Sequence, residues 1–490
     1  MLAALPLVGT WEVFSMTLFG TFLGIIIGAL PGLTATTGVS IFLPMTFFME
    51  PIPSFGFLLG IYCGGIYGGS ITAILINTPG TPAAAATSIE GFPLARKGMA
   101  VKALDMALYA SFVSGIISCI CLIVVAPQLA KLAMKFSHAE YFALSVLGLS
   151  IVAGLSKGNT IKGLIGTCFG LILGIIGLDP INATARWTFG TKSMQNGVTL
   201  IPALIALFAV AEIFIQAEEA YKKMDEERFE VSGQHLSLKE FAAQWKHILK
   251  SSLIGCFIGA VPATGSAVSA FLSYNEAKRT AKHPELFGKG SLEGIAASEA
   301  GNNGVTGSTL IPLLTLGIPG DSVTAVLLGA LMVQGLTPGP LLFETNGDTV
   351  SGIYLILLVA NVFMLLLGVI GIRFFYKITE VPKAILQPII LALCCIGTYA
   401  SNTRQYELIL MLTIGAIAYF MKKADIPTTP TLLALILGPT IERSLRSGLI
   451  ASRGSVTAFL FRPITAVILS VAVILLAVTI VLEIKNSRRR

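Results

Sequence analysis

The sequence predicts an all-α polytopic membrane protein folded as two inverted repeats with broken, re-entrant helices. Three observations predict it: a deficit of charge, a motif pair that recurs in order, and loop charges that alternate between the copies. Of 490 residues, 54% are hydrophobic and only 12% charged, against about 25% charged in soluble globular proteins. A large soluble core does not explain that deficit, because its surface still needs charge. The runs 116–126, 164–178, 355–375 and 464–484 are apolar and nearly free of charge. A bilayer span takes roughly 20 apolar residues, so on the order of 10–12 membrane-embedded segments are expected, some too short to cross.

Self-similarity supplies the second observation. Gly24-Ile-Ile-Ile-Gly28-Ala-Leu-Pro31-Gly32 returns as Gly255-Cys-Phe-Ile-Gly259-Ala-Val-Pro262-Ala263. Gly68-Gly69-Ser70 leading to Pro79-Gly80 returns as Gly304-Val-Thr-Gly307-Ser308 leading to Pro319-Gly320. The loop between the first pair of motifs, 50–54, has no basic residue, whereas its counterpart carries Lys278, Arg279, Lys282 and Lys289. After the second motif the pattern reverses: Arg96, Lys97 and Lys102 stand against Glu344 and Asp348. Matching loops of opposite basic content belong on opposite membrane faces, as inverted repeats require. The expected organisation is a first repeat over 1–216, a charged cytoplasmic connector over 217–247 and a second repeat over 248–490.

Smaller features fit this frame. Trp11–Leu30 reads as a retained first helix, with no Lys or Arg before it. The connector's Ser237-Leu-Lys-Glu240 is a capping-box pattern, followed by Phe241, Trp245, Ile248 and Leu249 on one helical face. Leu432–Pro439, flanked by Lys422, Lys423, Arg443 and Arg446, is expected to dip into the membrane and return or to lie as a surface helix. Arg186 is expected to anchor its polar loop through a salt bridge. The net charge of +7 serves topology rather than nucleic acid, because the basic residues lie in short loops and at Lys485, Arg488, Arg489 and Arg490. Seven cysteines and four histidines show no metal-ligand spacing, and no nucleotide loop or catalytic motif is present. An enzyme is not expected.

The chemistry lies where proline and glycine interrupt apolar segments, at Pro31-Gly32, Pro79-Gly80, Pro262 and Pro319-Gly320. Irregular backbone in a bilayer is tolerated only against protein or a wet cavity. Each break frees carbonyls for a small cation and exposes a helix N-terminus carrying roughly half a positive charge, which attracts a carboxylate. Small residues also let membrane helices approach closely, and that packing role is the favoured reading of Gly24, Gly28, Gly255 and Gly259. Glu299 and Asp321 are candidate intramembrane acids, with functional roles by default.

Gly60-Ile-Tyr-Cys-Gly-Gly-Ile-Tyr-Gly-Gly-Ser-Ile-Thr-Ala-Ile-Leu-Ile-Asn-Thr-Pro-Gly-Thr81, with Glu90-Gly-Phe-Pro93 and Lys97-Gly98, closely resembles the large membrane subunit of the tripartite tricarboxylate transporters. So do Pro31-Gly-Leu-Thr34, Arg186-Trp-Thr-Phe-Gly190, Gly301-Asn302-Asn303, Gly317-Ile-Pro-Gly-Asp321 and Gly335-Leu-Thr-Pro-Gly-Pro340. Trp187 departs from the phenylalanine the family pattern leads one to expect. The resemblance implies a bacterial inner-membrane permease, acting with a small membrane subunit and a periplasmic solute-binding protein. It further implies uptake of a carboxylate substrate, Na+ as the coupling ion with H+ as the alternative, no other cofactor, and an elevator-type secondary transporter. An ion channel is the rival from another class. Thr34, Thr36, Asn77, Thr78, Pro79, Gly80, Thr264, Ser266, Asn302, Pro319 and Gly320 are the candidate substrate ligands, and Thr81, Asn303 and Asp321 the candidate Na+ ligands. Coupling has an energetic reason: a trianion entering against 100 mV, negative inside, faces roughly 7 kcal/mol.

Overall fold

A computed structural model describes residues 4–30, 32–154, 160–219, 233–262, 264–378 and 383–487. Pro31, Ala263, connector residues 220–232 and Arg488, Arg489 and Arg490 lie outside the described residues. The chain is an all-α polytopic membrane protein, and its described residues include six helices long and apolar enough to cross a bilayer and four shorter apolar helices. The strands among the described residues are the two-residue pair Gly177–Leu178 and Ala185–Arg186. Packing divides the chain into two compact units: Met1–Ala130 with Ile215–Leu393, and Lys131–Phe214 with Cys394–Arg490. Each unit therefore draws on both halves of the sequence.

The first unit contains α1 (Trp11–Ala29), α2 (Ala35–Phe42), α3 (Pro51–Ile76), α4 (Ala84–Arg96) and most of α5 (Ala100–Ala133). From the second half come α6 (Trp245–Ala260), α7 (Gly265–Thr280), α8 (Leu292–Asn303), α9 (Ser322–Val333) and α10 (Gly347–Ile378). Short helical turns Val305–Ser308 and Leu310–Leu316 prolong α8. Glycines every fourth residue line one face of α1 and of α3, and there the two backbones touch. A Cβ on Gly20 would stand 2.1 Å from the Phe57 carbonyl oxygen, on Gly24 2.5 Å from that of Ile61, and on Gly28 2.3 Å from that of Gly65. Partner numbers rise together, so α1 and α3 run parallel, and α2 with the turn at Leu43–Phe48 carries the chain back between them.

The second half repeats these contacts in the register read from the sequence. A Cβ on Gly255 would meet the Gly301 carbonyl oxygen at 2.9 Å, and one on Gly259 that of Val305 at 3.1 Å. The alignment that sets Pro79 on Pro319 also sets Ile61 on Gly301 and Gly65 on Val305. The second pair of contacts is thus the counterpart of Gly24 against Ile61 and Gly28 against Gly65. The packing role of Gly24, Gly28, Gly255 and Gly259 is a backbone approach that any side chain would obstruct.

Around these pairs the first unit buries Ile25, Tyr67, Ile71, Ile74, Leu104, Leu108, Ile248 and Ile295 in one core. The capping box forms, with Ser237 and Glu240 bonding reciprocally, and Lys102 bonds Glu240 at 2.7 Å. The apolar face that follows is divided. Phe241 packs against Tyr109 and Ile248 is buried, while Trp245 and Leu249 are exposed.

In the second unit Thr160–Gly174 packs on Thr428–Ala451, with Gly170 against the Thr431 backbone. Thr428–Ala451 is one helix of 24 residues, with Pro439 inside it. Leu432–Pro439 therefore does not form a dip of its own. A proline inside a helix removes one ladder bond, and here the flanking turns keep the helix continuous. Arg186 makes a two-pronged pair with Glu442 at 2.8 and 3.0 Å and also pairs with Asp179. Arg446 bridges Asp179 at 2.8 Å and Glu442 at 2.9 Å. Beside this charge-balanced cluster Trp187 and Phe189 are exposed.

Candidate functional site: four helix N-termini and a buried glutamate

Two helix stops create the site. α3 ends at Asn77, which adopts the left-handed conformation (φ 53°), and the Thr78 amide donates to the Thr72 carbonyl at 3.4 Å. The helix ending at Leu316 stops identically at Gly317 (φ 70°), with the Ile318 amide donating to Pro312 at 3.2 Å. This is the pattern by which a residue of positive φ closes a helix C-terminus. Each stop folds the chain back beside the helix it has left. The Gly80 amide donates to the Gly69 carbonyl at 3.2 Å, and a Cβ on Gly80 would fall 1.9 Å from the Gly28 carbonyl oxygen. Correspondingly, a Cβ on Gly320 would fall 2.8 Å from Thr309 Cα and 2.9 Å from the Gly259 carbonyl oxygen.

Four helices start at these breaks. α2 is capped by Thr34, whose hydroxyl accepts from the Thr37 amide at 3.2 Å. α9 is capped by Asp321, whose Oδ1 accepts from the Thr324 amide and hydroxyl, each at 2.7 Å. Before α4, the Thr81 hydroxyl accepts from the Ala84 amide at 3.3 Å. α7 has no side-chain cap, because the Thr264 hydroxyl donates backwards to the carbonyls of Ile258 (2.5 Å) and Val261 (2.9 Å).

The four starts are neighbours. Thr36 Oγ1 and Ser322 Oγ are 2.8 Å apart, joining α2 to α9. A Cβ on Gly265 would lie 4.0 Å from Asp321 Cβ, joining α7 to α9. Ala83 and Ala86 pack with Ala267 and Ala270, joining α4 to α7. Residues 30–37, 77–84, 261–267 and 317–324 contain no Lys, Arg or His, and their one acid, Asp321, is occupied. Its Oδ2 accepts from the Tyr62 hydroxyl at 2.8 Å, and that hydroxyl also meets Thr309 Oγ1 at 3.2 Å. The result is positive backbone potential without a basic side chain.

The candidate residues divide between this zone and a second one. Thr34, Thr264 and Ser266 line the helix starts half-buried, while Thr36, Thr81, Pro319, Gly320 and Asp321 are buried there. Asn77 is exposed and serves the helix stop; Thr78, half-buried, donates to the Ile76 carbonyl at 3.2 Å, and Pro79 is half-buried beside it. Asn303 belongs to the cluster around Glu299, whereas Asn302, fully buried next to it in the chain, has no hydrogen-bond partner. The Asn303 amide nitrogen donates to Ser111 Oγ at 2.7 Å and to the Glu299 carbonyl at 3.2 Å. The Glu299 carboxylate, fully buried, accepts from Ser70 at 2.6 Å, Ser111 at 2.9 Å and Thr87. Tyr62, Ser322, Ser70, Thr87 and Ser111 were not among the sequence candidates. Tyr62 carried a signal, since it aligns with Asn302 when Pro79 is set on Pro319; Ser111 lies outside both motifs and carried none. Among the described residues no three His, Cys, Asp or Glu side chains group as metal ligands.

Comparisons with known proteins agree with these motifs. A protein of Agrobacterium vitis, described as an uncharacterized 52.8 kDa protein in the TAR-I ttuC' 3'region, is 35% identical over 470 residues, 96% of this chain and 93% of its own length. A second, described as an uncharacterized protein in the TAR-II ttuC' 3'region of the same organism, is 32% identical over 234 residues, 48% of this chain and 97% of its own length. No solved structure matches. Residues 14–433 match the family described as the tripartite tricarboxylate transporter TctA family, and the chain belongs to that family of membrane permease subunits.

Proposed function

We propose that this permease takes up a small organic carboxylate together with a monovalent cation, binding the carboxylate at the shared N-termini of α2, α4, α7 and α9. The observation that carries the reading is the meeting of four helix starts in a zone free of basic side chains. Each start contributes unsatisfied amides and a partial positive charge, and the uncapped start of α7 leaves its first amides for a ligand. Thr34, Thr36, Asn77, Thr78, Pro79, Gly80, Thr264, Ser266, Asn302, Pro319 and Gly320 stand as substrate-site candidates in this proposal. Thr81, Asn303 and Asp321 stand as cation candidates, with Na+ as the coupling ion. The partners are a small membrane subunit and a periplasmic solute-binding protein, as the family's tripartite organisation implies. Two inverted repeats, 1–216 and 248–490, with an elevator-type movement complete it. The opposed loop charges support the repeat relation, as do the glycine contacts of Gly24 and Gly28 made again by Gly255 and Gly259.

Ser266→Asp tests the carboxylate site with opposite signs for stability and binding. A carboxylate in the first turn of α7 favours the helix by about 0.3–1 kcal/mol and repels an anionic ligand from the same amides. The purified variant is expected to melt no lower than the wild type and to lose carboxylate binding in calorimetry against a panel of mono-, di- and tricarboxylates. Unchanged binding of the preferred acid would remove the ligand from these helix starts.

A further inference from the structure

The Glu299 carboxylate has no exposed surface, and its bonded neighbours are all neutral. Among the described residues, no Lys, Arg or His pairs with it. A charge removed from water without an opposite charge is strongly unfavourable, so the group needs neutralisation by something small. One turn along the same helix, Asn302 is also fully buried, and neither its amide oxygen nor its amide nitrogen has a partner. Positions i and i+3 share a helix face, and helical side chains lean towards the N-terminus. Asn302 therefore shares a helix face with Ser298 and Glu299, one turn away. Ser298 Oγ lies 3.0 Å from Thr87 Oγ1, which itself bonds Glu299.

We infer that Glu299, Asn302 and the hydroxyls of Ser70, Thr87 and Ser298 form an all-oxygen site for one sodium ion. A proton would neutralise the carboxylate and leave the buried Asn302 amide with nothing to bond. A hard cation uses both, taking the carboxylate oxygen, the amide oxygen and hydroxyl lone pairs together. The hydroxyls that donate to Glu299 turn their lone pairs to the ion when it binds. The site joins the halves of the sequence: Ser70 and Thr87 belong to α3 and α4, and Ser298, Glu299 and Asn302 to α8. The Asn303 amide nitrogen donates to Glu299 Oε2 at 3.5 Å and so positions the carboxylate without ligating the ion, whereas Asp321 is held by its own cap.

The inference deepens the cation-coupled reading above by naming where the ion sits, moves Asn302 from the substrate candidates to the cation site, and is tested without any carboxylate. Purified full-length chain is titrated with NaCl against a choline chloride background, following 22Na+ binding by equilibrium dialysis and melting by intrinsic fluorescence. Saturable Na+ binding with a matching rise in melting temperature is expected for the wild type. Affinity is expected to fall at least tenfold in Glu299→Gln and in Asn302→Leu. Asn302→Leu removes an unsatisfied amide, so in sodium-free buffer it is expected to melt no lower than wild type, which keeps the test valid if Glu299→Gln fails to fold. Wild-type Na+ affinity in Asn302→Leu overturns the site. A wild type indifferent to Na+ also overturns it, and leaves the carboxylate reading to be judged by its own binding experiment.

Discussion

Gly80→Ala adds one methyl group where the structure has no room for it. The new Cβ would stand 1.9 Å from the Gly28 carbonyl oxygen and 2.9 Å from Gly69 Cα, both backbone atoms. Ordinary contact begins near 3.4 Å, so the hairpin tip must retreat from α1 by about 1.5 Å. Overpacking of this kind costs about 1–3 kcal/mol. Retreat also stretches the bond from the Gly80 amide to Gly69, now 3.2 Å, which contributes about 1 kcal/mol. Gly320→Ala meets Thr309 Cα at 2.8 Å and the Gly259 carbonyl oxygen at 2.9 Å, so it is expected to destabilise in the same direction by a smaller amount. Gly347→Ala, where nothing lies within 4 Å, is the control and is expected to hold or gain stability. Thermal melts of the purified variants rank them, and carboxylate binding in parallel reads the displaced tip. Gly80→Ala melting and binding as the wild type does would refute the close approach of the first hairpin to α1.

Three further outcomes are expected. Asp179 is held well below the usual carboxylate range by the Asn182 amide and by Arg446, and Glu442 is lowered by its bonds to Arg186 and Arg446. Folded-state pKa values depressed in this way stabilise the cluster above the ordinary carboxylate range, near pH 4, and the contribution is lost as pH falls through them. Arg446→Ala is therefore expected to move the acid-induced change in Trp187 fluorescence to higher pH, and an unchanged midpoint would contradict the cluster. Thr36→Ala and Ser322→Ala, combined in a double-mutant cycle, are expected to show a coupling of about 0.5–1.5 kcal/mol; strict additivity of their melting effects would separate α2 from α9. Glu240 is pushed down to about 2, chiefly by the Lys102 bond, so Lys102→Ala is expected to raise its titration towards the usual glutamate range, as followed by carboxylate NMR.

Much of the fold was legible because membrane segments announce themselves by composition, and because the duplicated motifs kept their glycines. Gly24, Gly28 and Gly80 read as repeats of Gly255, Gly259 and Gly320, and the same pairings reappear as backbone contacts. The breaks were legible too, since Pro-Gly pairs inside apolar runs have few other uses. Side-chain partnerships were less so. Asp321 was visible as an intramembrane acid; that its place at the start of α9 makes it a cap, and that Tyr62 donates to its second oxygen, was not. Glu299 was visible as an intramembrane acid, but its hydroxyl neighbours come from three separate helices, and Ser111 lies in an apolar stretch with no motif around it. For Leu432–Pro439 the basic flanks suggest either a short dip or a surface helix, and the continuous Thr428–Ala451 helix removes the dip as a separate element. Only the packing of Thr428–Ala451 against Thr160–Gly174 reveals a continuous helix.

Uptake of labelled carboxylates into proteoliposomes tests the central claim most directly, with the small membrane subunit and the solute-binding protein supplied and an inward Na+ gradient present or absent. Expected is saturable uptake of one acid that requires the gradient in the wild type and fails in Ser266→Asp. Gradient-dependent uptake undiminished in Ser266→Asp, or no uptake of any acid under a Na+ or a proton gradient, would contradict it.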